Sequence, residues 1–173
     1  KTGERVAFLS FSSFASFDIV EEANVVAIPK ELDSTPFPGE PFGCVMNILE
    51  RSQIKKGQNV AIIGSGFIGN TLCQLLRSSG VQTTVISKRQ KNLSLSLKNG
   101  ATKAFLLTNT TDLINTLNGE NPDGYDRVIE TCGYQEALTI AGEIVKTGGK
   151  IIIAGYHQDG LRTVNMQVWN WKG

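Results

Sequence analysis

The run Asn59-Val60-Ala61-Ile62-Ile63 leads directly into Gly64-Ser65-Gly66-Phe67-Ile68-Gly69, and an amphipathic stretch follows as far as Ser79. An unbroken apolar run with no polar alternation suits a strand buried on both faces, the environment of a parallel sheet covered by helices. Gly80 then stops the helix. The same rhythm repeats down the chain. Strands are predicted over 81–87, 103–107, 125–131 and 150–155, with helices over 89–99, 112–117 and 135–145. Alternation of this length and order predicts an α/β fold built on a doubly wound parallel sheet.

The first forty residues read differently. RVAFLSF (5–11), FASFDIV (14–20) and NVVAIP (24–29) are rich in β formers and are predicted as strands. Residues 31–41, ELDSTPFPGEP, form a proline-rich loop or crossing point. Pro41 suits the first turn of a helix in which Val45, Ile48 and Leu49 share a face. The expected organisation is therefore a β-rich segment over 1–39 and a doubly wound domain over 40–173.

The glycine spacing has a chemical reading. After a strand and before a helix, Gly64 permits a tight turn, Gly66 lets the backbone approach a pyrophosphate, and Gly69 lets the helix pack on the strand. Ser65, Phe67 and Ile68 complete the loop, and the start of the helix offers N–H groups to an anion. A site for NAD places Asp or Glu about 20 residues further on, at the end of the second strand, to hold the ribose hydroxyls. Here that residue is Ser87, followed by Lys88 and Arg89. With no carboxylate to repel a 2′-phosphate and two cations to pair with it, the expected cofactor is NADP(H), with NAD as the alternative. The plainer reading makes Lys88 and Arg89 solvated charges at a helix start.

Composition narrows the classes. The formal net charge of +1 over 173 residues gives no electrostatic case for nucleic acid or an acidic membrane surface. No apolar run approaches the ~20 residues of a membrane helix. Three widely spaced cysteines, Cys44, Cys73 and Cys132, read as free thiols in a reducing, cytoplasmic setting. With a single histidine, His157, they make no zinc constellation by spacing. The chain opens on Lys-Thr-Gly-Glu-Arg rather than Met, so its natural start is expected upstream.

Four further stretches extend the picture: GERV (3–6), FASFDIVEEANVVAIPKEL (14–32), PGEPFGCVMN (38–47) and NWKG (170–173). With the glycine loop, they resemble the medium-chain dehydrogenase/reductase family of the zinc alcohol dehydrogenase type, in its polyol and threonine dehydrogenase branch. The resemblance implies a Rossmann fold preceded by a β-rich remnant of a GroES-like catalytic domain. It implies an oxidoreductase moving hydride between NADP(H) and a small alcohol or polyol, zinc-assisted in the complete protein.

By the same resemblance, Glu40 matches an acid that reaches the catalytic zinc, as ligand or supporting group. Its alternative is an acid interacting with the helix dipole. Cys44, one turn on, matches a position beside the nicotinamide, though a small buried apolar residue is the preferred reading. Ile68 matches the residue behind the nicotinamide ring. Backbone groups of Cys132, Gly133, Ala154, Gly155 and Tyr156 match those that hold the carboxamide. His157 follows as a loop histidine, either solvated or within reach of substrate. NWKG matches the opening of a sixth strand, through whose edge a homodimer forms in the complete protein.

Two departures qualify the resemblance. The four-cysteine structural-zinc lobe does not follow GERV, so no structural zinc is expected. The N-terminal Cys and Gly-His-Glu zinc residues are missing, so this chain alone is expected to bind cofactor without oxidising alcohol. The competing readings are a zinc-free quinone or enoyl reductase of the same superfamily and a dinucleotide-binding module without catalysis.

Overall fold

Glycines at positive φ, among them Gly64, Gly80, Gly100, Gly124 and Gly133, mark turns between elements in the computed structural model, which describes residues 2–10, 12 and 15–173. The chain divides into two compact units, Lys1–Met46 and Asn47–Gly173. The division falls inside helix α1, Gly39–Ser52.

In the first unit, β1 (Val6–Phe8) pairs antiparallel with β2 (Val25–Ala27), Val6 opposite Ala27. Arg5 ties the end of the unit together, its guanidinium donating to the carbonyls of Leu32 at 2.5 Å, Asp33 at 3.0 Å and Thr35 at 2.7 Å. The strand expected over 14–20 is not formed among the described residues 15–20. The Asp18 carboxylate accepts from the Ile19 N–H at 2.8 Å and from the Ser10 hydroxyl. That turn-like bonding diverts backbone from a ladder. Phe14, and Phe11 at the end of the first expected strand, lie outside the described residues.

In the second unit, β3 (Asn59–Ile63), β4 (Gln82–Ser87), β5 (Lys103–Leu106), β6 (Tyr125–Glu130) and β7 (Val145–Ile153) form one parallel sheet in the order β5-β4-β3-β6-β7. Between them run α2 (Phe67–Ser78), α3 (Gln90–Lys98), α4 (Thr110–Glu120) and α5 (Gln135–Ile144). Val60, Ala61, Ile62 and Val85 are fully buried, as the unbroken apolar runs require. The strand order reverses at β3, and the carboxyl ends of β3, β4 and β6 flank the resulting crevice, where ligands bind in folds of this kind.

One expectation is corrected here. Residues 170–173 do not open a sixth strand; they end helix α6, Met166–Lys172. The Asn165 side chain accepts from the Val168 N–H at 3.2 Å and starts the helix. At its other end Lys172 donates to the carbonyls of Gly142 at 3.0 Å and Glu143 at 2.6 Å, at the C-terminal end of α5. An ammonium there satisfies carbonyls that the helix itself leaves unpaired. Among the described residues no helix is long and apolar enough to cross a membrane.

Candidate dinucleotide site

The turn from β3 into α2 is held by the strands on either side. The Gly64 N–H donates to the Ile86 carbonyl, and the Thr131 N–H to the Ile63 carbonyl, both at 2.9 Å. Gly64 adopts φ +116°, where a side chain is strained, and a Cβ there would overlap the Thr131 hydroxyl. A Cβ on Gly69 would overlap the Gly64 carbonyl oxygen. The middle glycine differs: a Cβ on Gly66 would meet nothing within 4 Å. The protein itself therefore gives no steric reason for glycine at 66.

Two neighbours sharpen the picture. Ser65 is buried, and its hydroxyl has no hydrogen-bond partner among the described residues. Gly66 is the N-cap of α2 and supplies no side-chain cap to the helix. Asn70 fixes the loop from beneath. Its amide donates to the carbonyls of Ser65 at 2.7 Å and Gly66 at 3.0 Å, while its oxygen accepts from Ser96 at 2.9 Å and Asn99 at 3.3 Å. The glycine loop is thus tied to α3 through one buried amide.

Gly64, Ser65 and Gly66 open on a cleft of about 450 Å³ that Ser87, Lys88, Arg89 and Cys132 also line. The Ser87 hydroxyl accepts from the Arg89 N–H at 3.2 Å and shapes the turn after β4. Lys88 forms an ion pair with Glu136, which also lines the cleft and accepts from Thr110 Oγ1 at 2.7 Å. Burial, followed by the nearby Glu130 charge, pushes the Cys132 thiol up to about 11, so it stays protonated and behaves as an apolar wall. Phe67, Ile68, Gly69, Gly133, Ala154, Gly155 and Tyr156 are not among the residues lining this cleft.

Gly133, Ala154 and Gly155 belong to a second constellation that sequence reasoning missed. Glu130 closes β6 and is 0% exposed. One carboxylate oxygen accepts from the N–H groups of Cys132 at 2.6 Å and Gly133 at 2.7 Å; the other lies 3.0 Å from His157 Nε2. The Glu130 carbonyl accepts from the N–H groups of Ala154 at 2.8 Å and Gly155 at 2.9 Å. The backbone N–H groups of Cys132, Gly133, Ala154 and Gly155 are therefore taken up internally. Arg162 Nε donates to His157 Nδ1 at 2.8 Å, and its terminal nitrogen donates to the Gly133 carbonyl at 2.8 Å and pairs with Asp159. Because a guanidinium only donates, His157 Nδ1 accepts and the ring proton sits on Nε2, directed at Glu130. His157 is thus a fixed member of a partly buried network rather than a solvated loop residue. The signal was available: a glutamate that follows the buried pair Val128-Ile129 at the end of a central strand needs a partner.

In the first unit, Cys44 Sγ donates to Glu40 Oε1 at 3.1 Å, and that bond raises the thiol above its ordinary range. A protonated thiol beside a carboxylate is a poor start for a metal site. Among the described residues no three His, Cys, Asp or Glu side chains converge to hold an ion. The donor set among the described residues does not fit zinc, which takes about four ligands.

A family model described as zinc-binding dehydrogenase matches residues 68–171. A curated relative, D-arabinitol dehydrogenase 1 of Uromyces fabae, is 26% identical over 153 residues, covering 86% of this chain and 44% of that protein. Sorbitol dehydrogenase of Bacillus subtilis (strain 168) is 28% identical over 117 residues, 67% of this chain and 33% of that protein. A solved structure described as a zinc-binding dehydrogenase from Sinorhizobium meliloti 1021 bound to NADP superposes with a TM-score of 0.74 at 26% identity, covering 88% of this chain and 46% of that one. The chain spans less than half the length of these relatives.

Proposed function

This chain belongs to the zinc-binding dehydrogenase family, and on that footing we propose that it forms the NADP(H)-binding portion of an alcohol or polyol dehydrogenase. The observation that carries the reading is Gly66. Gly64 and Gly69 are required by the protein's own packing, whereas the space beside Gly66 is open. A glycine that the fold does not need, facing a cleft, suits close approach of a pyrophosphate to the backbone. The unpartnered Ser65 hydroxyl and the start of α2 would receive the same anion. Lys88 and Arg89 would pair with a 2′-phosphate. Asn70 holds the loop in the receiving shape.

When bound, the dinucleotide supplies the hydride chemistry; this chain's residues bind and orient it. Glu130, His157 and Arg162 hold the segments after β6 and β7 in register, so that Ala154, Gly155 and Tyr156 would border the nicotinamide end. Zinc assistance applies to a longer protein in which other donors join Glu40, and no step is assigned to a metal here. A small alcohol or polyol substrate follows from the dehydrogenases that the chain resembles.

The test is a fluorescence titration with NADPH on the parent protein and on Gly66→Ala, with thermal unfolding of both. Saturable binding by the parent is expected, together with a loss of at least about tenfold in the variant at unchanged Tm, because the added methyl touches only the ligand. Equal binding by both proteins, or none by the parent, overturns the proposal.

A further inference from the structure

We propose that Glu136 sets how strongly the site prefers NADP(H) over NAD(H), standing in space for the acid that the end of β4 lacks in sequence. The inference rests on the dinucleotide reading above. In sites of this architecture a carboxylate at the end of the second strand holds the ribose hydroxyls and repels a 2′-phosphate. That position here is Ser87, which by itself favours the phosphate.

A carboxylate nevertheless enters the same cleft from another element. Glu136 is the second residue of α5 and lines the cleft with Ser87, Lys88 and Arg89. It is not a loosely solvated side chain. Thr110, the first residue of α4, donates its hydroxyl to Glu136 Oε1 at 2.7 Å, and Lys88 pairs with Oε2. These bonds hold the Glu136 carboxyl below the ordinary carboxylate range, Lys88 first and Thr110 second. Among the described residues lining the cleft, only Lys88, Arg89 and Glu136 carry charge, and no ion pair is formed by Arg89.

The cleft therefore presents one net positive charge, not the two that Lys88-Arg89 suggests. A 2′-phosphate must take Lys88 from Glu136 or tolerate the carboxylate beside it, and both reduce its advantage. The same carboxylate offers acceptors to a ribose 2′-hydroxyl, which favours the unphosphorylated cofactor. Lys88 is 65% exposed at its side chain, so it can turn from one anion to another without unpacking anything.

The experiment is a set of paired titrations with NADPH and NADH, at matched ionic strength, on the parent protein, Glu136→Gln, Lys88→Gln and the double variant. Glu136→Gln keeps the shape and the Thr110 contact while removing the charge. It is expected to raise the ratio of NADPH to NADH affinity about three- to tenfold, the size of an exposed pair and a nearby like charge. Lys88→Gln lowers that ratio, and in its background the Glu136→Gln gain shrinks by more than half. An unchanged ratio in Glu136→Gln, with Lys88→Gln still lowering it, overturns the inference while leaving the dinucleotide reading standing. Equal gains with and without Lys88 overturn the exchange of Lys88 between anions. Failure of the parent to bind either cofactor instead overturns the dinucleotide reading, and this inference with it.

Discussion

Replacing Glu130 by glutamine exchanges one oxygen for an NH2 group at almost constant volume, yet the geometry predicts a large cost. The glutamine carbonyl can take the place of the oxygen that accepts from Cys132 and Gly133. Its NH2 group then faces His157 Nε2, which carries the ring proton. Donor meets donor. His157 cannot relieve the clash by moving its proton to Nδ1, because Nδ1 accepts from Arg162. One donor is left buried and unsatisfied, at about 1–3 kcal/mol, and the two backbone bonds lose their charge assistance, at about 1 kcal/mol each. Relief from burying a charge offsets part of this, so Glu130→Gln is expected to cost about 2–4 kcal/mol. Urea unfolding followed by the fluorescence of Trp169 and Trp171 measures it, with the slope checked for constancy. His157→Ala removes the clashing donor, so the glutamine should cost at least about 1 kcal/mol less in that background. A Glu130→Gln protein within about 0.5 kcal/mol of the parent, or costs that simply add in the double variant, would refute the reasoning.

Two further outcomes follow from the same structure. Asn70→Ala deletes the amide that ties Ser65 and Gly66 to α3; it should cost about 1–3 kcal/mol in urea unfolding and weaken NADPH in titration, whereas an unaltered affinity would separate the loop's shape from this residue. At Asp126, burial pushes the carboxyl up, but pairing with Lys146 and the Asn59 N–H at 2.9 Å outweigh it and leave it below the ordinary range. Since the folded value is the lower one, the contribution is present above the ordinary carboxylate value near pH 4 and is lost as pH falls through the folded value. Lys146→Met should therefore cost about 1 kcal/mol at pH 7, discounted for its partial exposure, and this penalty should fade as pH falls below the ordinary carboxylate value in urea unfolding measured across pH.

The strand–helix alternation and the glycine loop were legible in the chain because each is local. A strand buried on both faces favours an unbroken apolar run, as Val60–Ile63 of β3 shows, and a turn at φ +116° favours glycine, as at Gly64. Short-range rules also gave Ser87-Lys88-Arg89 at the end of β4. The same rules failed where a partner had to be supplied from elsewhere. FASFDIV has strand composition but no strand forms over 15–20 among the described residues, and Asn170–Gly173 became the end of a helix because Asn165 caps it and Lys172 finds the open carbonyls of α5. Glu136 is distant in sequence from Lys88, and His157 and Arg162 from Glu130. Spacing along the chain carries no sign of such pairs, because they form only when parallel strands bring their carboxyl ends to one edge of the sheet. By itself, then, the sequence determined the sheet, its turns and the glycine loop between β3 and α2. Only the tertiary structure decided which charges face one another there, since attraction between charges depends on distance in space and not on separation along the chain.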